Sequence, residues 1–245
     1  MNNNRIALVT GANKGLGKET ARQLAHGGAT VLLGSRDAER GAAAARDLRA
    51  EGLAVTPVQL DVTDAASVEA IATLLRREYG RLDVLVNNAG TIVEQPALNT
   101  TAAAMRQTFE VNVFGVVTVI HTLLPLLRAS DAPRIVNVAS TTASLALTSD
   151  GALFGGDTDT RLAYACSKTA LNMLTVQYAQ AFRRDASFSP IKINSATPGY
   201  VATDLNNHSG PRTVAQGARI VVELATLPND GPSGGFFNDK GRVPW

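Results

Sequence analysis

Arg5-Ile6-Ala7-Leu8-Val9-Thr10-Gly11-Ala12-Asn13-Lys14-Gly15-Leu16-Gly17 is an apolar run that passes through a glycine-rich turn into a helix-like stretch, which ends near His26 ahead of Gly27-Gly28. A short continuous run of Ile, Leu and Val suits a strand covered on both faces, and the apolar spacing after it suits a helix. Between such a strand and helix, glycines let the main chain approach a pyrophosphate while the helix N-terminus faces its charge. The spacing Gly11-x-x-x-Gly15-x-Gly17 is not the G-x-G-x-x-G of common dinucleotide folds. Taken alone, a tight strand-to-helix connection would look the same.

Outward from this stretch the alternation continues. Strands over 30–33, 55–60 and 84–86 precede helices around 39–50, 65–79 and 101–127. Strands over 135–138 and 191–195 precede helices around 161–182 and 213–227, and Phe236-Phe237 makes a last short run. Strands of this kind separated by helices predict an α/β fold: a single doubly wound, Rossmann-type domain over residues 1–245 with a parallel seven-stranded sheet. No linker or solenoid-length repeat cuts the chain, and a small mobile patch is expected around 199–211.

The 245 residues are 45% hydrophobic, 18% charged and 5% aromatic, with 23 Lys and Arg against 21 Asp and Glu. One core of that size buries roughly 70–75% of the unfolded surface, which excludes a staple-dependent mini-protein, and the composition excludes intrinsic disorder. A net charge of +2 gives no field that points to nucleic acid or an anionic membrane. Cys166 is the lone cysteine, so no internal disulfide forms, and Met1-Asn2-Asn3-Asn4-Arg5 carries no apolar signal region; a reducing cytoplasm is expected. No apolar run is expected to approach the ~20 residues of a membrane span. His26, His121 and His208 lack metal-ligand spacing, so no metal site is expected. Gly231-Pro232-Ser233-Gly234-Gly235 matches a hydrolase elbow without its strand, helix or downstream histidine, and reads as a turn before the last strand.

Tyr164-Ala165-Cys166-Ser167-Lys168 sets Tyr and Lys four apart on one helix face. A tyrosine hydroxyl ordinarily titrates near ~10, too high for proton transfer at neutral pH. An ammonium about 4 Å away, at an effective dielectric of about 20, contributes up to roughly 4 kcal/mol toward the phenolate. Alone, the pair reads better as an exposed helix pair. Cys166 falls on another face and reads as a packing residue. The pair gains meaning from its company: Asn87-Asn88-Ala89-Gly90 after the fourth strand, Asn112 on the next helix, Ser140 ending the fifth strand, and Pro198-Gly199 with Thr203 after the sixth. In an open α/β sheet these strand ends converge on the ligand-binding edge. With these motifs in this order the chain resembles the short-chain dehydrogenase/reductases over essentially its whole length. Gly11-Ala12-Asn13-Lys14-Gly15 is similar to the glycine loop of carbonyl-reductase-like members.

The resemblance implies NADPH-dependent hydride transfer to a ketone or aldehyde. Tyr164 would give the proton, Lys168 would hold the nicotinamide ribose and lower the Tyr164 pKa, Ser140 would hydrogen-bond the carbonyl, and Asn112 would hold a water chain. The resemblance also implies cofactor contacts from Gly11, Asn13, Lys14, Gly15, Leu16 and Gly17 in the first turn. Asp61 and Val62 would meet the adenine; Asn88, Ala89 and Gly90, and later Pro198, Gly199, Val201 and Thr203, would complete the cleft. Two hydroxyls aimed at one oxygen are the stabilisation a carbonyl accepting hydride needs. At the end of the second strand an acid would accept from the ribose of NAD, but Ser35-Arg36 stands there. Arg36 with Lys14 therefore favours NADP(H). Asp37 reads as a helix N-cap, and Thr63 or Asp64 as the cap of the third helix. An alcohol dehydrogenase or 3-oxoacyl reductase on the same site, and an NADP-sensing protein without chemistry, stay open as other readings.

Two segments depart from the compact family pattern. The stretch from Ser140 to Tyr164 is long, and 145–162, with Leu153 and Phe154 among Asp150, Asp157 and Asp159, reads as a substrate-side wall. Folded across the helix behind it, this wall predicts a monomer or homodimer rather than the family's tetramer. In contrast, Thr203 to Pro211 leaves little room for the helical lid of many relatives.

Overall fold

The computed structural model describes residues 5–152, 154 and 160–245. The strands are β1 (Ile6–Val9), β2 (Thr30–Ser35), β3 (Val55–Gln59), β4 (Val84–Asn87), β5 (Arg134–Val138), β6 (Lys192–Ala196), β7 (Phe236–Asn238) and β8 (Gly241–Arg242). They form one sheet in the order β3-β2-β1-β4-β5-β6-β7-β8. The first seven are parallel, as expected, and β8 adds an antiparallel edge to β7. The expectation of seven strands is thus short by one, because a two-residue strand of Gly241 and Arg242 carries no apolar run to read.

The helices are α1 (Gly15–His26), α2 (Ala38–Ala50), α3 (Ala65–Glu78), α4 (Ala102–Phe109), α5 (Gly115–Arg128), α6 (Leu145–Ser149), α7 (Leu162–Arg184) and α8 (Val214–Ala225). Side chains alternate across each strand, so Ile6, Leu8, Leu85 and Ile135 face a core covered by α3, α5 and α7. Ala7, Val9, Val86 and Val136 face the opposite core under α1, α2 and α8. Each fully buried leucine in these layers contributes about 1.5–3 kcal/mol. Asp37 caps α2 through the Arg40 N–H and Asp64 caps α3 through the Ala66 N–H, as expected.

The long helix expected over 101–127 is not continuous. Between α4 and α5, Glu110–Phe114 forms a π-helical turn in which the Gly115 N–H donates to the Glu110 carbonyl, five residues back. Gly115 marks the tight spot: a Cβ there would lie 2.8 Å from the Val62 side chain. The combined run Ala102–Arg128 is long and apolar enough, by length and composition, to cross a membrane, which corrects the expectation that no such run exists. Half of its apolar window is buried inside the fold, where it serves as a core helix.

The strand order reverses between β1 and β4, which opens a crevice at the strand C-terminal ends where the glycine turn, the Asn87–Gly90 stretch and Ser140 all emerge. A buried polar ladder fixes α7 against that edge. Asn87 donates to Asn137 at 2.8 Å, Asn137 to Thr175 at 2.8 Å, and Thr175 and Ser195 share a hydrogen bond of 2.8 Å. Thr175 is two turns beyond Lys168 on the same helix face, so the ladder sets the register of the helix that carries the Tyr and Lys.

Candidate active site

Thr10, the residue after β1, organises the glycine turn: its hydroxyl accepts from the Asn88 and Ala89 N–H groups at 3.0 and 2.9 Å. The Asn88 side chain returns the contact, donating to the Thr10 and Gly11 carbonyls at 2.9 and 3.0 Å. Its amide is thus engaged in holding the turn, and what Asn88 offers a bound molecule is main chain. The packing leaves no space for side chains, since a Cβ on Gly11 would lie 2.8 Å from Ala89 and one on Gly17 2.4 Å from Asn88. Gly11 also has φ of 62°, in the left-handed region.

Helix α1 starts at this turn, and its N-cap residue Lys14 gives no side-chain cap. The first N–H groups of α1 therefore face the crevice beside a cradle only glycine fits, an arrangement suited to a pyrophosphate. Arg36, just past β2, is exposed and its guanidinium enters no hydrogen bond or ion pair among the described residues. Lys14 pairs with Asp204 at 3.5 Å. Asp61 holds Thr63 through both its N–H and hydroxyl with a single carboxylate oxygen. After β6, Gly199 takes φ of 75°, Val201 bridges to Arg212, and Thr203 packs over Gly15. Only a single short turn, Asp204–Asn206, follows, which agrees with the little room expected for a lid. Gly11, Asn13, Lys14, Gly15, Leu16 and Gly17 lie on the turn from β1 into α1, while Asp61 and Val62 follow β3, Ala89 and Gly90 follow β4, and Pro198 and Thr203 follow β6, all beyond strand C-terminal ends. The glycine cradle and the partner-free Arg36 fit a dinucleotide carrying a 2′-phosphate.

Ser140, Tyr164 and Lys168 meet at the end of β5. The Ser140 hydroxyl accepts from Thr142 and is hydrogen-bonded to Tyr164. Lys168, 4% exposed, donates to the Val138 carbonyl at 2.8 Å and lies 5.7 Å from the Tyr164 ring centroid. Burial leads at Tyr164 and raises its hydroxyl above the ordinary tyrosine value, while Ser140 and the Arg161 charge pull the other way. Lys168 is lowered by burial to about 8. The expectation that Lys168 dominates and depresses the Tyr164 pKa is thus not met in this arrangement. Burial of the Tyr164 hydroxyl disfavours its charged form, and this outweighs the groups that favour it.

Asn112 lies in the π turn, wholly buried, with its side chain donating to the Thr91 carbonyl and to Ser167 and accepting from the Thr91 N–H. A π turn shifts helical pairing by one residue and leaves a carbonyl without its helical partner, which gives a water a place to bind. Cys166 is exposed, which overturns its reading as a packing residue. His121 is exposed, and no group of metal-ligating side chains occurs among the described residues. Ser233 accepts from the Ile193 N–H, consistent with a structural turn before β7. In the 145–162 stretch, α6 is capped by Ser144 and Phe154 is half-buried; Leu153 and residues 155–159 lie outside the described residues. The sequence reading missed Thr10, Thr91, Thr175 and Arg161. Of these only Arg161, three before Tyr164, had a readable signal in its helical spacing.

A family model described as short chain dehydrogenase matches residues 5–213. The chain is 37% identical to short-chain dehydrogenase/reductase 1 of Saponaria officinalis, over 98% of this chain and 96% of that protein. It is 35% identical to carbonyl reductase (NADPH) 1 of Sus scrofa, over 99% of this chain and 95% of that protein. Among solved structures, salutaridine reductase from Papaver somniferum superimposes with a TM-score of 0.83 at 31% identity, covering 96% of this chain and 99% of that one. The alignment with the pig protein spans 276 positions against 245 residues here, so that relative carries insertions this chain lacks. A parallel sheet with its order reversed at a glycine cradle, a Ser, Tyr and Lys gathered at the end of β5, and these matches over nearly the whole length place the chain in the short-chain dehydrogenase family.

Proposed function

We propose that residues 1–245 act as one cofactor-binding and catalytic unit that reduces ketones or aldehydes with NADPH. The observation that carries this reading is the meeting of the Ser140 and Tyr164 hydroxyls beside the buried ammonium of Lys168. Bound NADPH supplies the hydride. Negative charge then grows on the carbonyl oxygen, and two hydroxyls held by the rigid end of β5 and by α7 meet it with little reorganisation. Tyr164 gives its proton to that oxygen and Ser140 hydrogen-bonds it. A tyrosine raised by burial holds its proton until the oxygen becomes the stronger base, which suits an acid in the reducing direction. Lys168 holds the nicotinamide ribose. Asn112, fixed by Thr91 and Ser167, steadies the π turn whose main chain orders the water that reprotonates the site.

The glycine cradle and α1 N-terminus hold the pyrophosphate, Asp61 and Val62 the adenine, and Arg36 with Lys14 the 2′-phosphate. Asn88 acts through the turn it braces, and Gly90, Pro198, Gly199, Val201 and Thr203 shape the nicotinamide end. Leu98, Leu145, Leu162 and Leu205 are exposed on segments leaving β4, β5 and β6, and this apolar rim favours apolar carbonyl compounds. The chain's lone cysteine suits a reducing cytoplasm, and a monomer or homodimer is the proposed assembly. NADPH consumption against a panel of carbonyl compounds tests the reading; no turnover with any ketone or aldehyde overturns it.

A further inference from the structure

We propose that Arg161 is a positioning residue of this reaction, acting through Tyr164, which it sets between the loops after β4 and β6. The inference rests on Tyr164 being the proton donor. Arg161 is the N-cap residue of α7, three before Tyr164, and its side chain is only 13% exposed. It reaches two walls of the crevice. Its main chain pairs with Gln95 of the β4 loop, while Gln95 donates to the Thr160 carbonyl at 3.0 Å. Its guanidinium lies 3.9 Å from Glu94 of the same loop and stacks 5.7 Å from the centroid of the Tyr200 ring in the β6 loop. A planar cation serves this place better than an ammonium would, since it can lie over a ring while its edge meets a carboxylate.

The placement has an electrostatic consequence for the proton donor. Among the described residues, the charged groups around Tyr164 include Arg161 and Lys168 from α7 and, through Arg161, Glu94 from the β4 loop. Ser140 from the β5 end and Tyr200 from the β6 loop contribute hydroxyls. Arg161 is a cation whose charge favours the Tyr164 phenolate. Glu94 moderates that influence. The α7 start therefore sets both where the Tyr164 hydroxyl sits and how readily it gives up its proton.

The test follows the titration of Tyr164 directly. The protein carries four tyrosines, and with isotope-labelled tyrosine the Tyr164 resonance is the one lost in Tyr164→Phe. This measurement needs no substrate, so it stands even if no carbonyl compound is turned over. In Arg161→Met the Tyr164 titration should move to higher pH by about half a unit to one unit, less than for a bare opposite charge because Glu94 cancels part of it. Arg161→Lys should return most of that shift, and the alkaline limb of kcat/KM for reduction should move in parallel. Glu94→Gln, which keeps the guanidinium, should move the titration to lower pH and serves if Arg161→Met does not fold. An unchanged titration in Arg161→Met, an equal shift in Arg161→Lys, or an unchanged or upward shift in Glu94→Gln overturns the proposal.

Discussion

Replacing Arg36 with alanine should convert an NADPH-selective enzyme into one that hardly distinguishes its two cofactors. Arg36 lies just beyond β2, exposed and with its guanidinium unengaged among the described residues, so its removal breaks no hydrogen bond or ion pair of that group among them. A hydrogen bond to a charged group contributes about 1.5–3 kcal/mol, and solvent exposure puts Arg36 in the lower half of that range. At about 1.36 kcal/mol per factor of ten, the loss is roughly 10- to 50-fold in NADPH affinity. NADH, which lacks the 2′-phosphate, should bind the variant as it binds the wild type. Lys14 contributes less, because it is held by Asp204 at 3.5 Å and must share its charge. Asp204→Asn should therefore tighten NADPH by about two- to fivefold, the worth of an exposed ion pair. The assay is kcat/KM with each cofactor together with equilibrium binding of NADP+ and NAD+, repeated at higher salt, where the Arg36 effect should shrink. A wild type that uses NADH as well as NADPH, or an Arg36→Ala variant that weakens both alike, refutes the reasoning.

Tyr164→Phe should lower kcat by about 10²- to 10⁴-fold while NADPH binding stays within about twofold, and a variant keeping a tenth of wild-type kcat removes Tyr164 as the donor. Lys168, lowered to about 8 from 10.5, binds its proton less readily folded than unfolded, so its burial opposes stability at neutral pH and the penalty lifts as pH rises through that window. Lys168→Met should thus unfold at higher denaturant than wild type at pH 7, with the gap narrowing above about 8; a gap independent of pH contradicts the burial argument. Thr175→Val strands the buried Asn137 amide and Ser195 hydroxyl and should cost about 2–4 kcal/mol in urea unfolding, and a loss below about 0.5 kcal/mol means the ladder is not holding α7. Sedimentation of the wild type checks the assembly, with a tetramer ruling out the proposed monomer or homodimer.

The strands and helices were legible because each parallel strand is covered on both faces and so reads as an unbroken apolar run. What escaped has a local physical reason. The π turn at Glu110–Phe114 keeps nearly the same periodicity as the α-helices on either side, so the run looked like one helix. The antiparallel β8 is defined by its bonds to β7 and has too few residues to show any pattern. In the site, Ser140, Tyr164 and Lys168 were found by motif, but the environment of Lys168 was not. Sequence spacing puts it on the face of Tyr164, and only the fold shows its ammonium turned to the Val138 carbonyl. Thr175 and Asn137 read as ordinary polar residues, since nothing in a sequence tells a buried polar pair from two solvated ones.

The features that fix chemistry and those that choose substrate lie on different parts of this fold. The contacts that hold Lys168 and the register of α7 come from β5 and the buried ladder across β4, β5 and β6. The exposed leucines and Tyr200 instead sit on the segments that follow β4, β5 and β6, which the chain can alter without disturbing that ladder. The pig relative's insertions show that the family does vary in length. A change of substrate should therefore be sought in residues 91–101, 145–162 and 200–211, and a change of rate with unchanged preference in α7. Arg161 is the exception that joins the two regions, since it belongs to α7 by sequence and to the loops by contact. A substitution there should alter the proton step and the substrate wall together.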